Sequence, residues 1–453
     1  MSTGVEHSNS RIASLLAWPR RRAGGGALSH GAWVVGDQAV VSLASFLATV
    51  IVGRTCGQFE MGVYGLAVSV FWLAAGIPNA LAWTPYTSRA AKLSASRRAV
   101  YAGSVTFHSL AIALAIAGVL IVLGIGALLS PLGTLRGNTW FAPMCFALAP
   151  FVVFMVLREH VRRLNLADLR TRDLLAFDAP IAVVQLTLLL LLAQAGKLSA
   201  TTALVAIAAA CSLTVVWIAR HRDRFRFRAR RAAMHWSYNQ QFGRWLLVVS
   251  IAWLLGDASY RWLVGSIQGM EALGRFAAAQ SIVLVFNPLL LTANNLAQAF
   301  SARAFARGGA AELRRIALHA TALIAVGAGL AFGCLAIVGG VAVRLIFGAE
   351  YSGLGGVVAA LCLGMFAHSL LVPIEGAMVA LRQGRGMLAA GLVRLVVVAG
   401  AGAPLIWWRG LEGVGYAMAL SSAAAAAVQW SMFLRSGVSS VDIGAFCEQE
   451  TIA

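Results

Sequence analysis

Val52-Gly53-Arg54-Thr55-Cys56-Gly57-Gln58-Phe59-Glu60-Met61-Gly62-Val63-Tyr64-Gly65-Leu66-Ala67-Val68-Ser69 lies between two apolar runs, and its skeleton returns later in the chain. Val52, Gly53, Gly57, Gly62, Ala67 and Ser69 are matched by Val264, Gly265, Gly269, Gly274, Ala279 and Ser281, at a constant lag of 212 positions (264 less 52), and Tyr64 is matched by Phe276. Each copy occupies the same place, between two apolar helices. The chain therefore reads as a duplication. Duplicated halves of membrane helices are characteristic of transporters, which carry their substrate site between the halves.

Composition places the chain in a bilayer. It is 60% hydrophobic and 12% charged over 453 residues, with a mean hydropathy of +0.79, which excludes an ordinary soluble domain. Runs of about 18 to 25 apolar residues, each able to cross a ~30 Å hydrocarbon core, recur along the sequence. Twelve spans are predicted, at 32–52, 63–84, 105–128, 140–157, 176–194, 199–218, 245–266, 276–300, 316–340, 355–380, 388–408 and 411–434. Runs such as Leu188 to Ala193 and Ala423 to Val428 are apolar all round, so helices are expected rather than the alternating strands of a barrel.

The net charge of +19 is distributed as a membrane topology signal. Of 36 Lys and Arg, 28 fall in alternate loops, 6 in the intervening ones, and Arg261 and Arg394 inside spans. By the positive-inside rule the helix count is even and both termini are cytoplasmic. The expected organisation is a basic N-terminal segment 1–31, an N-lobe 32–218, a basic inter-lobe loop 219–244, a C-lobe 245–434 and a tail 435–453. Arg20-Arg21-Arg22 reads as the cytoplasmic flank of a retained first helix. In Arg224-Phe225-Arg226-Phe227-Arg228 the phenylalanines suit the membrane interface and the arginines anionic headgroups, which is simpler than a nucleic-acid surface. An even number of helices separates the two repeat copies, so both enter the membrane in one direction and the lobes are related by an axis along its normal.

The six cysteines, among them Cys447, have neither disulfide nor metal spacing and read as packing residues. His108, His319 and His368 are scattered, and no metal is assigned. There is no Walker-type phosphate loop and no nucleophile elbow, so neither ATP hydrolysis nor other enzymatic chemistry is expected.

Asp37-Gln38 and the segment Gly53 to Tyr64 together resemble the first helix and loop of polysaccharide-type flippases. These belong to the multidrug/oligosaccharidyl-lipid/polysaccharide (MOP) exporter superfamily, which also contains multidrug extruders and lipid II flippases. Phe242-Gly243, Asp257, Arg261-Trp262, Gly265, Gly269 and Leu273-Gly274-Arg275-Phe276 repeat the resemblance, and Leu345-Ile346-Phe347-Gly348-Ala349-Glu350-Tyr351 is a third match. The resemblance implies an all-α integral membrane fold of two six-helix lobes around a cavity, open alternately to the two sides. It implies a lipid-linked oligosaccharide as cargo, with membrane lipid, a polysaccharide polymerase and export machinery as partners, Na+ or H+ as coupling ion, and the cell inner membrane as location. An extruder of cationic small molecules on the same scaffold is the alternative. Lipid II flippases resemble one another in several first-lobe cations, and no first-lobe arginine falls inside the predicted spans, which disfavours a peptidoglycan precursor.

Charged and amide residues inside spans are the site candidates. Arg394 lies about 9 Å into its helix, either facing a cavity as a substrate cation or snorkelling to headgroups. Asp257 and Arg261, four apart, share a face and are expected to pair; a coupling role for Asp257 and a substrate role for Arg261 are the sharper alternatives. Glu375 and Arg394 are expected at similar depth, as a salt bridge closing the cytoplasmic side. Asp37 is expected to cap its helix start, with gating or coupling as the alternative. Asn287 and Asn294 are candidates to line the cavity, or to bond neighbouring helices. Pro78, Pro85 and Pro288 are expected to loosen or kink their helices.

Overall fold

The structure is a computed structural model that describes residues 26–90, 92–129, 139–381 and 383–436. Arg20-Arg21-Arg22, Arg136, Arg382, Cys447 and the C-terminal tail beyond residue 436 lie outside the described residues. Within them the chain is all helix and turn, in fifteen α-helices. These are α1 (Gly26–Pro78), α2 (Thr84–Ala90), α3 (Ala95–Leu129), α4 (Phe141–Ala167), α5 (Thr171–Gln194), α6 (Ala200–Cys211), α7 (Leu213–Arg220), α8 (Ala229–Ile267), α9 (Gly269–Val283), α10 (Asn287–Phe347), α11 (Gly355–Ser369), α12 (Leu371–Ala380), α13 (Gly384–Val397), α14 (Ala403–Arg409) and α15 (Glu412–Ser436).

They form ten continuous stretches long and apolar enough to cross a membrane. Two stretches are far too long for a single crossing: Ala32–Ala90 has 59 residues and Gly269–Phe347 has 79. At about 1.5 Å per residue either would exceed two bilayer cores laid end to end. Both are broken by glycine. Gly57 has φ +79° inside α1, and Gly309 has φ +61° inside α10, a region that L side chains avoid.

Helical regularity breaks beside the prolines of two corresponding helices. Pro78 is followed by a π-helical turn, Asn79–Trp83, and Pro288 is preceded by a 3-10 turn, Leu284–Phe286. Side chains such as Leu323, Ile337, Trp407 and Trp408 are largely exposed, as the lipid-facing surface of a membrane bundle requires.

The two copies of the repeated motif pack against each other. Gly57 and Gly269 both have positive φ and make the turns. One helical turn on, Gly62 and Gly274 pack so closely that a methyl group on Gly62 would strike the Met270 carbonyl, and one on Gly274 the Gln58 carbonyl. The third motif joins them. Arg54 Nη2 donates to the Leu345 carbonyl at 2.9 Å and Gln58 Nε2 to that of Glu350 at 2.6 Å. The Tyr351 hydroxyl donates to the Gly53 carbonyl at 3.1 Å.

The segment expected as a loop at 219–244 is only partly one, because α8 starts at Ala229. Its first turns carry arginines and pack on the N-lobe. The Tyr101 hydroxyl donates to Asn239 Oδ1 at 2.7 Å, His235 Nδ1 and Ser104 Oγ are 2.8 Å apart, and the Arg89 guanidinium lies 4.2 Å from the Tyr238 ring centre. Net hydropathy hides such a segment. Its arginines balance its aromatics, so it reads as a loop although it is helical.

Candidate functional site

Two charged networks sit inside the helices, one per lobe. In the N-lobe α4 runs on to Ala167, so Arg158 and Arg162, expected in a loop, lie within the helix and are buried. Arg162 Nη2 donates to Asp37 Oδ2 at 2.9 Å, its Nε to Asp178 Oδ2 at 2.7 Å, and its Nη1 to Glu159 Oε1 at 3.2 Å. Arg158 Nε donates to the other Asp178 oxygen at 2.8 Å. The guanidinium fork suits this junction, since its donors diverge in a plane towards three carboxylates.

Asp37 is not a helix cap. Its helix begins at Gly26, so it lies about 16 Å in, at about 1.5 Å per residue. It is only 1% exposed, and its Oδ1 has no hydrogen-bond partner. α4 therefore carries two arginines beyond the span expected for it, both buried and neutralised by acids. Three acids against two arginines leave the network one negative charge in excess.

In the C-lobe Arg394 donates from Nη2 to Asp257 Oδ1 at 2.5 Å. The Arg394 side chain is 2% exposed and the Asp257 side chain 54%. The guanidinium also lies 5.0 Å from the Trp253 ring centre, a cation–π geometry, and its stem crosses Gly256. Its Nε and Nη1 have no partner. Because α13 begins at Gly384, Arg394 sits about 15 Å from that helix end, and its burial keeps it from snorkelling.

The expected pairings are thus corrected. Asp257 pairs with Arg394, and Arg261 instead donates from Nη2 to Gln280 Oε1 at 2.7 Å. Glu375 makes no salt bridge with Arg394, although it lies within electrostatic reach of both Arg394 and Asp257, as does His368. The structure draws Asp257, Arg394 and Glu375 together and leaves Arg261 one turn away. Asn287 is exposed at the start of α10, and Asn294 Oδ1 accepts from Gln298 Nε2 at 3.4 Å. Gly376, beside Glu375, packs on the backbone of Ala297.

Asp178 is the residue that sequence reasoning passed over. It lies inside the predicted span 176–194 and is fully buried. An acid within an apolar run requires a cation, and the pair Arg158 and Arg162, four apart on one face, supplies it. The two networks also correspond. Shifted by 212 positions, α5 overlays α13 and α14, so Asp178 falls at 390, one turn before Arg394. The corresponding helices α5 and α13 each carry one member of a buried ion pair, an acid in α5 and an arginine in α13, but the partners come from α4 in the first case and from α8 in the second.

No family model matches the sequence, and no curated protein matches it. Solved structures do. An inward-facing multidrug resistance MATE family transporter of the MOP superfamily superposes with a TM-score of 0.71 at 13% identity, covering 87% of this chain and 94% of that one. The lipid II flippase MurJ, in an inward closed conformation, gives 0.68 at 11% identity over 88% and 89%. A MOP superfamily transporter from Pyrococcus furiosus, described as having a binding pocket of reverse polarity, gives 0.64 at 12% identity over 88% and 92%. These likenesses concern architecture, and over nearly its whole described length the chain has the fold of the MOP superfamily transporters.

Proposed function

We propose that the chain is a flippase of the polysaccharide branch, moving a polyprenyl-diphosphate-linked oligosaccharide from the cytoplasmic to the outer leaflet of the inner membrane. The breaks at Gly57 and at Gly308-Gly309 convert ten stretches into twelve crossings, with the basic face and both termini cytoplasmic. The lobes are then 32–218 and 245–434. A polysaccharide polymerase and export machinery would take up the cargo.

The observation that carries this reading is Arg394. Its guanidinium is desolvated among the helices, held by one carboxylate that is itself half exposed, with two nitrogens, Nε and Nη1, unpaired. A diphosphate can take the place of that carboxylate and satisfy the free donors. Charge-assisted bonds from arginine to phosphate oxygens are among the strongest available in a dry site. Arg261, with a neutral partner, adds a second cation nearby. Asn287 and Asn294, on α10, suit sugar hydroxyls. Asp37, with one oxygen unpartnered, is the coupling group in the N-lobe, binding H+ or Na+. Asp257 and Glu375 serve as gates, released or engaged as Arg394 changes partner. The likeness to a lipid II flippase supports a lipid cargo.

The half-exposed Asp257 carboxylate also favours a second reading, extrusion of cationic small molecules. One experiment separates them. Arg394→Ala, expressed at the normal level in a host that depends on this chain, is expected to abolish surface polysaccharide, and a normal polysaccharide profile overturns the assignment. Resistance of a sensitive host to cationic dyes would favour extrusion instead.

A further inference from the structure

The Arg-Phe alternation of the inter-lobe linker has a role that neither charged network absorbs. On the basic face, Asp223, Arg224, Phe225 and Arg226 close a cavity of 360 Å³ against the ends of α2, α3 and α4. That size falls within the range of about 300–1,000 Å³ usual for small-molecule sites. The linker is fixed there: the Arg226 backbone N–H donates to the Ala99 carbonyl at 3.1 Å, and Gly103 packs on the Arg226 backbone.

Three polar groups of residues on its wall have no hydrogen-bond partner. The Tyr86 hydroxyl belongs to a residue 1% exposed and has no hydrogen-bond partner, and Asn165, 5% exposed, has its Nδ2 unpaired. Arg98 gives Nη1 to Asp168 at 3.3 Å and Nη2 to the Leu93 carbonyl at 3.3 Å, which leaves Nε buried and unpaired. Asp168, which holds Arg98, also interacts with the Tyr86 hydroxyl but makes no well-formed hydrogen bond to it. The first turn of α3, at Ala95 and Ser96, adds free backbone N–H groups to the same wall. Arg98, Arg170, Arg224 and Arg226 stand against Asp168 and Asp223 on the wall and Asp173 behind it, which holds Arg224 at 2.8 Å and Arg170 at 3.6 Å, so one positive charge is in excess.

Buried polar groups rarely stay unpaired, and three such groups beside one positively charged cavity suit a ligand made of acceptors. We infer that this cavity binds a phosphate-bearing anion that bridges the inter-lobe linker and the N-lobe. Phosphate oxygens accept from all three donors and from the helix end, and they answer the excess charge. The phosphate comes either from an anionic phospholipid headgroup of the adjacent leaflet or from a free phosphorylated solute. Bound there, it fastens the only covalent connection between the lobes to one of them.

The test uses the full chain purified in a neutral detergent, with thermal unfolding as readout. Three probes are titrated at matched ionic strength in chloride: inorganic pyrophosphate, dihexanoyl phosphatidate and dihexanoyl phosphatidylcholine. Saturable stabilisation by pyrophosphate and phosphatidate assigns the site to free phosphate, and stabilisation by phosphatidate alone assigns it to lipid. Phosphatidylcholine is expected to act at least tenfold more weakly. Tyr86→Phe combined with Arg226→Gln is expected to weaken the effective probe at least tenfold, and Arg226→Lys alone to keep it within about threefold. An absence of saturable stabilisation by any phosphate probe overturns the inference. So does a double variant that elutes as a folded monodisperse species and responds like the unaltered chain.

Discussion

Asp37 and Arg162, 125 residues apart in sequence, meet at 2.9 Å in the interior of the N-lobe, and Arg162 spends its remaining donors on Asp178 and Glu159. Replacing Arg162 by Met leaves three buried acids with a single arginine, Arg158, on one of them. Breaking a buried pair in this way costs about 3–5 kcal/mol. Arg162→Met is therefore expected to lower the unfolding midpoint in detergent strongly. Arg162→Lys recovers little, because one ammonium cannot reach three carboxylates in three directions. A midpoint unchanged in Arg162→Met would remove the network from the account of N-lobe stability.

The C-lobe pair is unequal, and its two halves should behave unequally. Asp257→Ala leaves Arg394 buried with no acid bonded to it, at a cost of about 3–5 kcal/mol. Arg394→Met leaves Asp257 half exposed and able to be solvated, for which about 1 kcal/mol is expected. The double variant should resemble Arg394→Met. Unfolding midpoints of the three variants check the order, and equal effects of the two single changes contradict it.

Gly62 and Gly274 predict a matched pair of defects. An added methyl meets a carbonyl of the opposite lobe in each case, and overpacking of this kind costs about 1–3 kcal/mol. Gly62→Ala and Gly274→Ala should lower the midpoint alike and impair transport alike. A change harmless at one position and damaging at the other would mean that the contact is not reciprocal.

Gly57 predicts a different kind of loss. A Cβ there would meet open space, so the penalty comes from its φ of +79° alone. Gly57→Val is expected to cost more than about 1–2 kcal/mol, whereas Gly57→Asn, which tolerates positive φ better, should cost less. The two midpoints compared with the unaltered chain decide the matter.

The duplication, the turns at Gly57 and Gly269, and the membrane helices could be read directly, because glycine geometry and apolar run length are local properties. The charged networks could not. Hydropathy ends a span at Arg158, since Arg158-Glu159-His160-Val161-Arg162-Arg163 is polar taken alone. The helix continues because Asp37 and Asp178 neutralise it from two other helices, and that information is not adjacent in sequence. The same holds for Arg394. Its own run leaves it free to snorkel, but its guanidinium is buried against Asp257 and Trp253 from α8, contacts that no local pattern announces. The expected pairing of Asp257 with Arg261 followed correctly from i, i+4 spacing, but the partner that desolvates Asp257's side of the lobe comes from α13, 137 residues on.

The glycine contact has the symmetry of a subunit interface inside a single chain. Each lobe offers the other the same surface, as two copies do across a two-fold axis. Such a surface is what a half-length ancestor would have used to recognise its own kind. Two fragments produced separately by division within the linker, between Arg220 and Ala229, retain the complementary patch and should find one another in the membrane as partners. The connection between the lobes would then govern how often and in what register they come together, rather than whether they can.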